Sequence, residues 1–144
     1  PALTREIQAL QNRHGYAVAP GHNAHLQQIE AELAAYFAGK LTEFKVPLHL
    51  PGSEFFRQVW AELAKIPYGK TSTYGTIAAT LGKPGASRAV GLANGQNRLS
   101  IVLPCHRVIG ADGSLTGYGG GQPRKAFLLR LENAALQITR QLAF

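Results

Sequence analysis

The stretch TYGTIAATLGKPGASRAVGLAN, residues 73–94, decides the fold. Thr73 can cap a short helix through about residue 81, because its side chain can accept a hydrogen bond from a free amide of the first turn. The glycine-containing loop 82–85 follows, and the pattern predicts a further helix over about 86–94. Two short helices joined by a tight turn with glycine are typical of a helix-turn-helix.

The second of these helices has the composition of an element that approaches another surface closely. Several of its side chains are small or absent, namely Ala86, Ser87, Ala89, Gly91 and Ala93. The chain carries 15 Lys and Arg residues against 8 Asp and Glu residues, a formal net charge of +7. A surplus of this size favours a polyanionic partner, because Lys and Arg contact phosphates, although it can also serve solubility alone.

Toward the N-terminus, residues 1–50 form a zone of a different kind, separated by the run 47–52 from the domain 51–144. Apolar residues at helical spacing predict one helix that ends at Gly15 and another over about 23–38. Residues 44–48 alternate as in a short strand, and Pro47 makes this an edge strand or an extended linker. The second helix is expected to bury one face, formed by Leu26, Ile29, Leu33 and Phe37.

Toward the C-terminus, Ser53 can cap a helix that stops near Pro67. A short buried apolar run at residues 101–103 leads into the only cysteine, and Asp112-Gly113 marks a tight turn. Pro123 suits the first position of a final helix with Phe127, Leu128 and Leu131 on its core side. The predicted fold class is therefore α+β and mostly α, with a C-terminal, winged-helix-like helix-turn-helix domain and a short N-terminal α/β subdomain.

Composition also excludes several classes of protein. No apolar run reaches the roughly 18 residues of a membrane span and no signal peptide opens the chain, so we expect a soluble, intracellular protein, cytoplasmic or with access to a nucleus. One cysteine allows no internal disulfide, and His22 and His25 are interpreted as surface residues rather than metal ligands. The chain begins at Pro1 and contains no methionine. We therefore expect the N-terminal subdomain to be truncated.

Cys105 is the candidate nucleophile, although a lone cysteine is more often a buried structural residue. His106 and Arg107 follow it directly, and both are able to favour a thiolate. Neighbouring side chains of an extended segment point to opposite faces, so His106 needs a bend or a bridging water to serve Cys105. Glu132, on the last helix, is a candidate for the acid that orients the histidine.

The segment Pro104-Cys105-His106-Arg107-Val108 resembles the active-site motif of the O6-alkylguanine-DNA alkyltransferase family. The resemblance runs from about residue 56 to residue 132. It includes Val59-Trp60, Ile66-Pro67-Tyr68-Gly69, Tyr74-Gly75, Ala86-Ser87-Arg88-Ala89-Val90-Gly91, Ala93-Asn94-Gly95, Asn97, Gly110, Gly117-Tyr118, Lys125 and Leu131-Glu132. So many short matches, in order and at similar spacing, make a chance resemblance implausible.

The resemblance implies a reaction that needs no cofactor and no metal. The cysteine, here Cys105, takes the alkyl group from O6-alkylguanine or O4-alkylthymine in DNA and keeps it as a thioether. A chain of cysteine, water, histidine and glutamate is implied, with His106 and Glu132 in the last two places. Tyr74 matches a tyrosine that donates a proton toward the guanine ring, which stabilises the charge that develops on the departing base.

The resemblance also implies how double-stranded DNA is bound. The helix that carries Arg88 enters the minor groove, and this arginine fills the space that the flipped base leaves in the stack. Position 119 is glycine where some relatives carry a side-chain donor, so backbone donation and a roomier pocket are expected there. We expect the chain to act as a monomer. The residues expected to contact the substrate or DNA are Arg88, Asn97, Arg107, Val108, Tyr118, Gly119 and Lys125.

Other functions remain open at this point. A non-catalytic binder of alkylated DNA can share the helix-turn-helix, but such relatives replace the motif cysteine, which Cys105 argues against. A transcription regulator fused to a repair domain is a further alternative, and a thiol hydrolase a distant one, because no second histidine and asparagine are arranged for it. The N-terminal zone also departs from the family, in which this zone starts with strands rather than helices.

Overall fold

The computed structural model describes residues 2–133 of the 144-residue chain. About half of this part of the chain is helical and it contains a small two-stranded sheet, which confirms the predicted α+β class. Its helices are α1 (Ala2–His14), α2 (Ala24–Phe37), α3 (Glu54–Ala64), α4 (Tyr74–Thr80), α5 (Ser87–Gly95) and α6 (Gln122–Leu131), with a 3-10 turn at Cys105–Arg107. The strands β1 (Ser72–Thr73) and β2 (Val108–Ile109) pair in parallel, with Ser72 opposite Val108.

Helix starts lie where the sequence offers a capping side chain. Ser53 Oγ accepts from the amide of Phe56 at 3.2 Å, and Thr73 Oγ1 accepts from that of Thr76 at 3.1 Å. Both caps were predicted and are confirmed. Each satisfies an amide that has no partner inside its own helix. Gly15 follows α1 with φ 68°, the left-handed conformation that favours glycine at a helix end.

The helix-turn-helix is confirmed, and α3 packs across it. The shared core consists of Val59, Trp60 and Leu63 from α3, Ile77 and Ala78 from α4, and Val90 and Ala93 from α5, all buried. The Trp60 indole also donates to the carbonyl of Ala93 at 2.9 Å, which ties α3 to α5. Because this packing uses the inner side of α5, Arg88 and Leu92 are left exposed on the outer side.

The predicted apolar face of α2 is wrong in part. Leu26 and Phe37 are 44% and 47% exposed, whereas Tyr36 is fully buried; Ile29 and Leu33 are half-buried. The Tyr36 ring lies edge-on to Tyr68 with centroids 6.2 Å apart, so the helix turns Tyr36 rather than Phe37 toward the segment that carries Tyr68. Helical spacing shows which residues share a face but not where the partner surface lies.

Two segments that suggested strands are irregular instead. Residues 44–48 contain no strand and bend at Val46. Glu32 accepts from the backbone amides of Lys45 and Val46 at 2.8 and 3.2 Å, and these are groups that a sheet would need. Residues 101–103 form a turn with φ 77° at Ile101, and only Leu103 among them is fully buried. The strand follows the cysteine, at Val108–Ile109, rather than preceding it.

The last helix lies where it was predicted, but the side chains that it buries differ in part from those predicted. Pro123 is its second residue rather than its first, after Gly121 with φ 92°. Phe127 is 55% exposed, so its predicted core position is wrong; Leu128 is buried as predicted and Leu131 is half-buried. The predicted turn at Asp112-Gly113 is confirmed, with φ 83° at Gly113. Within residues 2–133, no helix has the length and apolar character that crossing a membrane requires.

Candidate active site

Cys105 lies at the start of the 3-10 turn, inside the protein. It is 4% exposed and belongs to the main core, against which Tyr74 and Tyr118 pack. The turn closes with a hydrogen bond from the Arg107 amide to the Pro104 carbonyl at 3.0 Å. This turn supplies the bend that the sequence requires between Cys105 and His106, because successive residues of a helical turn do not alternate between two faces.

Glu132 is the centre of a buried hydrogen-bonded cluster at the end of α6. Its Oε1 atom lies 2.8 Å from His106 Nε2 and accepts from Arg107 Nη2 at 2.9 Å and from the Tyr36 hydroxyl at 2.6 Å. Its Oε2 atom accepts from Arg107 Nε at 2.8 Å. Glu132 and His106 are 1% and 0% exposed. The predicted pairing of His106 with Glu132 is therefore present in the structure.

The cluster fixes the charges of its members. Burial alone would raise the pKa of Glu132, but hydrogen bonds from His106 and Arg107 outweigh it and hold the pKa at about 2. Burial lowers the pKa of His106, so its imidazole is neutral at pH 7. A neutral imidazole beside a carboxylate donates from Nε2, which leaves Nδ1 as a bare acceptor. Nδ1 is buried and has no hydrogen-bond partner within residues 2–133.

Cys105 is a thiol in the resting protein. Burial raises its pKa, and Asn97, the Lys125 charge and Ser100 lower it only in part. The expectation that His106 and Arg107 favour a resting thiolate is wrong, because His106 is neutral and the Arg107 guanidinium is bound to Glu132. Nucleophilic attack by Cys105 therefore requires that its proton leave during the reaction, and Nδ1 of His106 is a suitable base.

Two basic residues that we expected to contact the substrate or DNA, Arg107 and Lys125, are buried in the protein instead. Arg107 is 7% exposed and also donates to the carbonyl of Ile66 at 2.6 Å. Lys125 is fully buried and donates to the carbonyls of Val108 and Thr116. These two hydrogen bonds hold together the segments on either side of the 110–115 turn. Burial lowers the pKa of Lys125 to about 8. This geometry favours positioning roles for both residues over the DNA contacts that we expected.

Tyr74, Tyr118 and a glycine-rich loop form a wall beside the cysteine. The Tyr74 hydroxyl donates to the Thr116 carbonyl at 2.7 Å, and burial raises the pKa of both tyrosines. Gly117 has φ 73°, and a Cβ there would lie 2.7 Å from the Tyr74 hydroxyl, so glycine is required for this close approach. A Cβ at Gly119 would meet nothing within 4 Å, which leaves space beside the wall.

Asn97 braces the turn before the cysteine. Its side-chain oxygen accepts from the Leu99 amide at 2.9 Å and its amide donates to the Leu103 carbonyl at 2.9 Å. Sequence reasoning missed Asn94, whose side-chain amide contacts the Cys105 carbonyl at 3.4 Å. It also missed Tyr36; the one available signal was the position of this tyrosine three residues after Leu33.

Arg88 lies on the outer side of α5, away from the buried cluster. It is exposed, and its side chain makes no hydrogen bond or ion pair with the part of the chain that is described. A cleft of about 640 Å³ lies elsewhere, between the 42–48 linker and the segments 64–68 and 101–104. Its lining includes Arg107 but not Cys105, so this cleft is not the space into which the thiol opens.

The free energy of unfolding is expected to fall as the pH is lowered from 7 to 3. Glu132 has a folded pKa of about 2 against an ordinary 4.5, so its contribution is present above pH 4.5 and is lost as the pH falls toward 2. The pKa of His106 lies below its ordinary 6.5, so the unfolded chain takes up that proton first and stability already declines below neutrality. Urea unfolding at a series of pH values measures this decline. A Glu132→Gln control should lack the decline in unfolding free energy below pH 4.5. A wild-type unfolding free energy that does not change with pH would contradict the charge assignment.

A helix-turn-helix joined to a buried cysteine and a neutral, carboxylate-bound histidine is the combination expected of a DNA-binding protein with a reactive thiol. The family model described as 6-O-methylguanine DNA methyltransferase, DNA binding domain, matches residues 54–134. The chain belongs to this family. The methylated-DNA–protein-cysteine methyltransferase of Mycolicibacterium paratuberculosis is 65% identical over 101 residues, which cover 70% of this chain and 61% of that protein.

Solved structures agree with this assignment. The Mycobacterium tuberculosis OGT in complex with DNA superposes with a TM-score of 0.74 at 54% identity, covering 83% of this chain and 74% of that one. The S. pombe Atl1 protein in complex with damaged DNA containing O6-carboxymethylguanine superposes with a TM-score of 0.51 at 35% identity. The match covers 58% of this chain and 79% of that one. The chain spans somewhat over three fifths of the length of the first curated relatives, 61% and 62%.

Proposed function

We propose that this protein repairs double-stranded DNA by transferring the alkyl group of O6-alkylguanine, and of O4-alkylthymine, to its own Cys105. Each molecule acts once, as a monomer and without a cofactor, in the cytoplasm or a nucleus. The observation that supports the proposal most strongly is the pairing of neutral His106 with Glu132 beside a buried cysteine. That arrangement provides an acceptor for the thiol proton next to the nucleophile.

In the proposed step, the Cys105 sulfur attacks the alkyl carbon, a new S–C bond forms and the O6–C bond breaks. The thiol proton passes through a water to Nδ1 of His106, and Glu132 stabilises the resulting imidazolium. The electrons of the broken bond stay on the guanine, which takes a proton from Tyr74 and remains in the DNA strand as an ordinary, unalkylated base. The proton held by His106 returns through solvent to Tyr74, so that the protons balance. The thioether cannot be hydrolysed by any group described at the site, so the protein is consumed.

The wall beside the cysteine would hold the flipped base. Tyr74 is proposed to donate toward the guanine ring, which requires its hydroxyl to leave the Thr116 carbonyl that it contacts at 2.7 Å. Tyr118 would flank the base, and the Val108 carbonyl and the backbone of Gly119 would contact its polar edge. Lys125 holds that carbonyl in place, so we assign it a positioning role here.

One experiment separates this function from its alternatives. The protein is incubated with duplex DNA containing O6-methylguanine, and its intact mass is measured and mapped by peptide analysis. A gain of one methyl group on Cys105 supports the proposal. An unchanged mass together with tight, damage-specific binding would instead indicate a non-catalytic binder, and an unchanged mass without such binding would contradict both.

Replacing Arg88 with alanine is expected to slow methyl transfer from a duplex by about 10–100-fold, because base flipping costs a few kcal/mol that this residue would offset. Transfer from the free base O6-methylguanine, which needs no flipping, should change little. Single-turnover rates on both substrates measure this difference. Arg5→Ala, which removes another exposed arginine, on α1, is the control and should leave both rates unchanged. If Arg88→Ala lowered the transfer rate equally on the duplex and on the free base, the proposed role of Arg88 would be contradicted.

Replacing Gly119 with serine is expected to reduce transfer of butyl relative to methyl groups. The added side chain enters open space and Gly119 does not have a positive φ, so the change should not strain the fold. It would, however, narrow the room available to a larger alkyl group and offer a new donor to O6. The ratio of butyl to methyl transfer rates measures the effect. A ratio equal to that of the wild type would show that this loop does not limit alkyl size.

A further inference from the structure

We propose that Tyr36, on α2 of the N-terminal zone, is a positioning residue for the alkyl transfer, because its hydroxyl holds the Glu132 carboxylate that orients His106. This inference rests on the proposed function. It extends the chain of groups behind Cys105 by one residue, from a part of the sequence that lies outside the family match at residues 54–134. Tyr36 does not touch the reacting atoms, so it acts through Glu132 alone.

The contact has the geometry of a strong, buried hydrogen bond. The Tyr36 hydroxyl donates to Glu132 Oε1 at 2.6 Å, across 96 residues of sequence. Tyr36 is 0% and Glu132 1% exposed, so water does not compete for either group. Hydrogen bonds to an ionised acceptor are short and stronger than those between neutral groups. Burial, together with the neighbouring Glu132 charge, raises the pKa of Tyr36, which therefore remains a donor throughout the working pH range.

The ring of Tyr36 is fixed independently of its hydroxyl. It packs edge-on to Phe37 at 5.3 Å and Tyr68 at 6.2 Å and lies tilted against Phe44 at 5.5 Å, measured between ring centroids. A phenylalanine at position 36 can keep these contacts. The loss of the hydroxyl can therefore be examined separately from the loss of the ring, which makes the role of the hydrogen bond testable.

Oε1 of Glu132 is the acceptor for Tyr36, His106 and Arg107 Nη2, and sharing this atom with His106 gives the Tyr36 hydroxyl its influence. The charged or titratable groups facing the carboxylate are Tyr36 from α2 and His106 and Arg107 from the 3-10 turn. Lys125 of α6 acts on His106 through its charge, and the Tyr68 ring lies edge-on to Tyr36. Without the Tyr36 hydroxyl, Oε1 carries more negative charge toward His106 and loses one restraint on its orientation. The imidazole then becomes more basic and less well oriented.

The test compares Tyr36→Phe with Tyr68→Phe in the full chain. The Tyr68 hydroxyl belongs to the same aromatic group but donates to the Leu131 carbonyl at 3.3 Å rather than to Glu132, so it is a matched control. Single-turnover methyl transfer is followed with excess O6-methylguanine duplex from pH 5.5 to 9. The amplitude reports the fraction of folded, competent protein, and the rate constant reports the chemistry of those molecules. A partly unfolded variant therefore remains informative.

For Tyr36→Phe we expect a limiting rate constant about tenfold lower, the effect of one hydrogen bond to a charged group, and an acid limb displaced to higher pH. The half-saturating DNA concentration should not change, and Tyr68→Phe should keep the wild-type rate constant and pH profile. If Tyr36→Phe lowers only the amplitude, the hydroxyl is merely structural and the inference is overturned. The same holds if Tyr36→Phe and Tyr68→Phe change the rate constant and the pH profile alike. Failure of the proposed function is distinct, since the wild type would then transfer no methyl group at all.

Discussion

Cys105→Ser is expected to transfer no detectable methyl group, a loss of roughly 10³-fold or more in single-turnover rate. Serine has nearly the shape of cysteine, so the tightly packed site at 4% exposure should accept it without a large cavity or strain. The hydroxyl is a far weaker nucleophile than a thiol toward an alkyl carbon, and it gives up its proton to His106 far less readily than a thiol does. Intact mass after incubation with an O6-methylguanine duplex measures the loss.

Binding provides the control for this variant. The exposed side of α5, with Arg88, is separate from the buried thiol, so Cys105→Ser should bind the duplex with an affinity close to that of the wild type. Fluorescence anisotropy with labelled duplex measures that affinity. A methyl group found on another residue of Cys105→Ser, or a mass gain equal to that of the wild type, would place the acceptor elsewhere and refute the assignment of Cys105.

Glu132→Ala is expected to lower the free energy of unfolding by about 3–5 kcal/mol, because it leaves the Arg107 guanidinium buried and uncompensated. Arg107 is 7% exposed and gives two hydrogen bonds to this carboxylate, at 2.8 and 2.9 Å. The Tyr36 hydroxyl and His106 Nε2 would lose their acceptor as well. Unfolding in urea, monitored by the fluorescence of Trp60, measures the difference.

A surface ion pair supplies the matched control for this experiment. Lys65 and Glu62 lie 2.6 Å apart, closer than any atoms of the Arg107–Glu132 pair, but the Lys65 side chain is 68% exposed. Glu62→Ala should therefore cost less than about 1 kcal/mol, since water solvates the charge that remains. If Glu132→Ala and Glu62→Ala lowered the free energy of unfolding by similar amounts, Glu132 would not be the centre of a desolvated cluster.

The N-terminal zone contributes more to the candidate site than sequence reasoning indicated. The residues that carry the resemblance to the family all lie beyond this zone, so the resemblance assigned it no part in the chemistry. The hydrogen bond between Tyr36 and Glu132 places a side chain of α2 in the cluster that orients His106. Stability and chemistry are therefore linked through one carboxylate.

The sequence by itself determined many of the local elements and singled out the candidate reactive group. Ser53, Thr73 and Gly15 marked helix ends correctly, because capping depends on hydrogen bonds between residues three or four apart. The Pro104–Val108 motif singled out Cys105 and His106, and Glu132 followed from the need for an acid behind the histidine. Each of these inferences used information contained in a short stretch or in a recognisable motif.

Only the tertiary structure decided how those parts are oriented and charged. It turned Tyr36 rather than Leu26 or Phe37 inward, although the helical spacing allowed either face. It also directed Arg107 to Glu132 and made Cys105 a resting thiol, contrary to expectation. Burial and long-range hydrogen bonds set these properties, and both depend on which distant segments meet. The sequence of the motif carries the candidate nucleophile, whereas the protonation state of this thiol arises from packing across the described part of the chain.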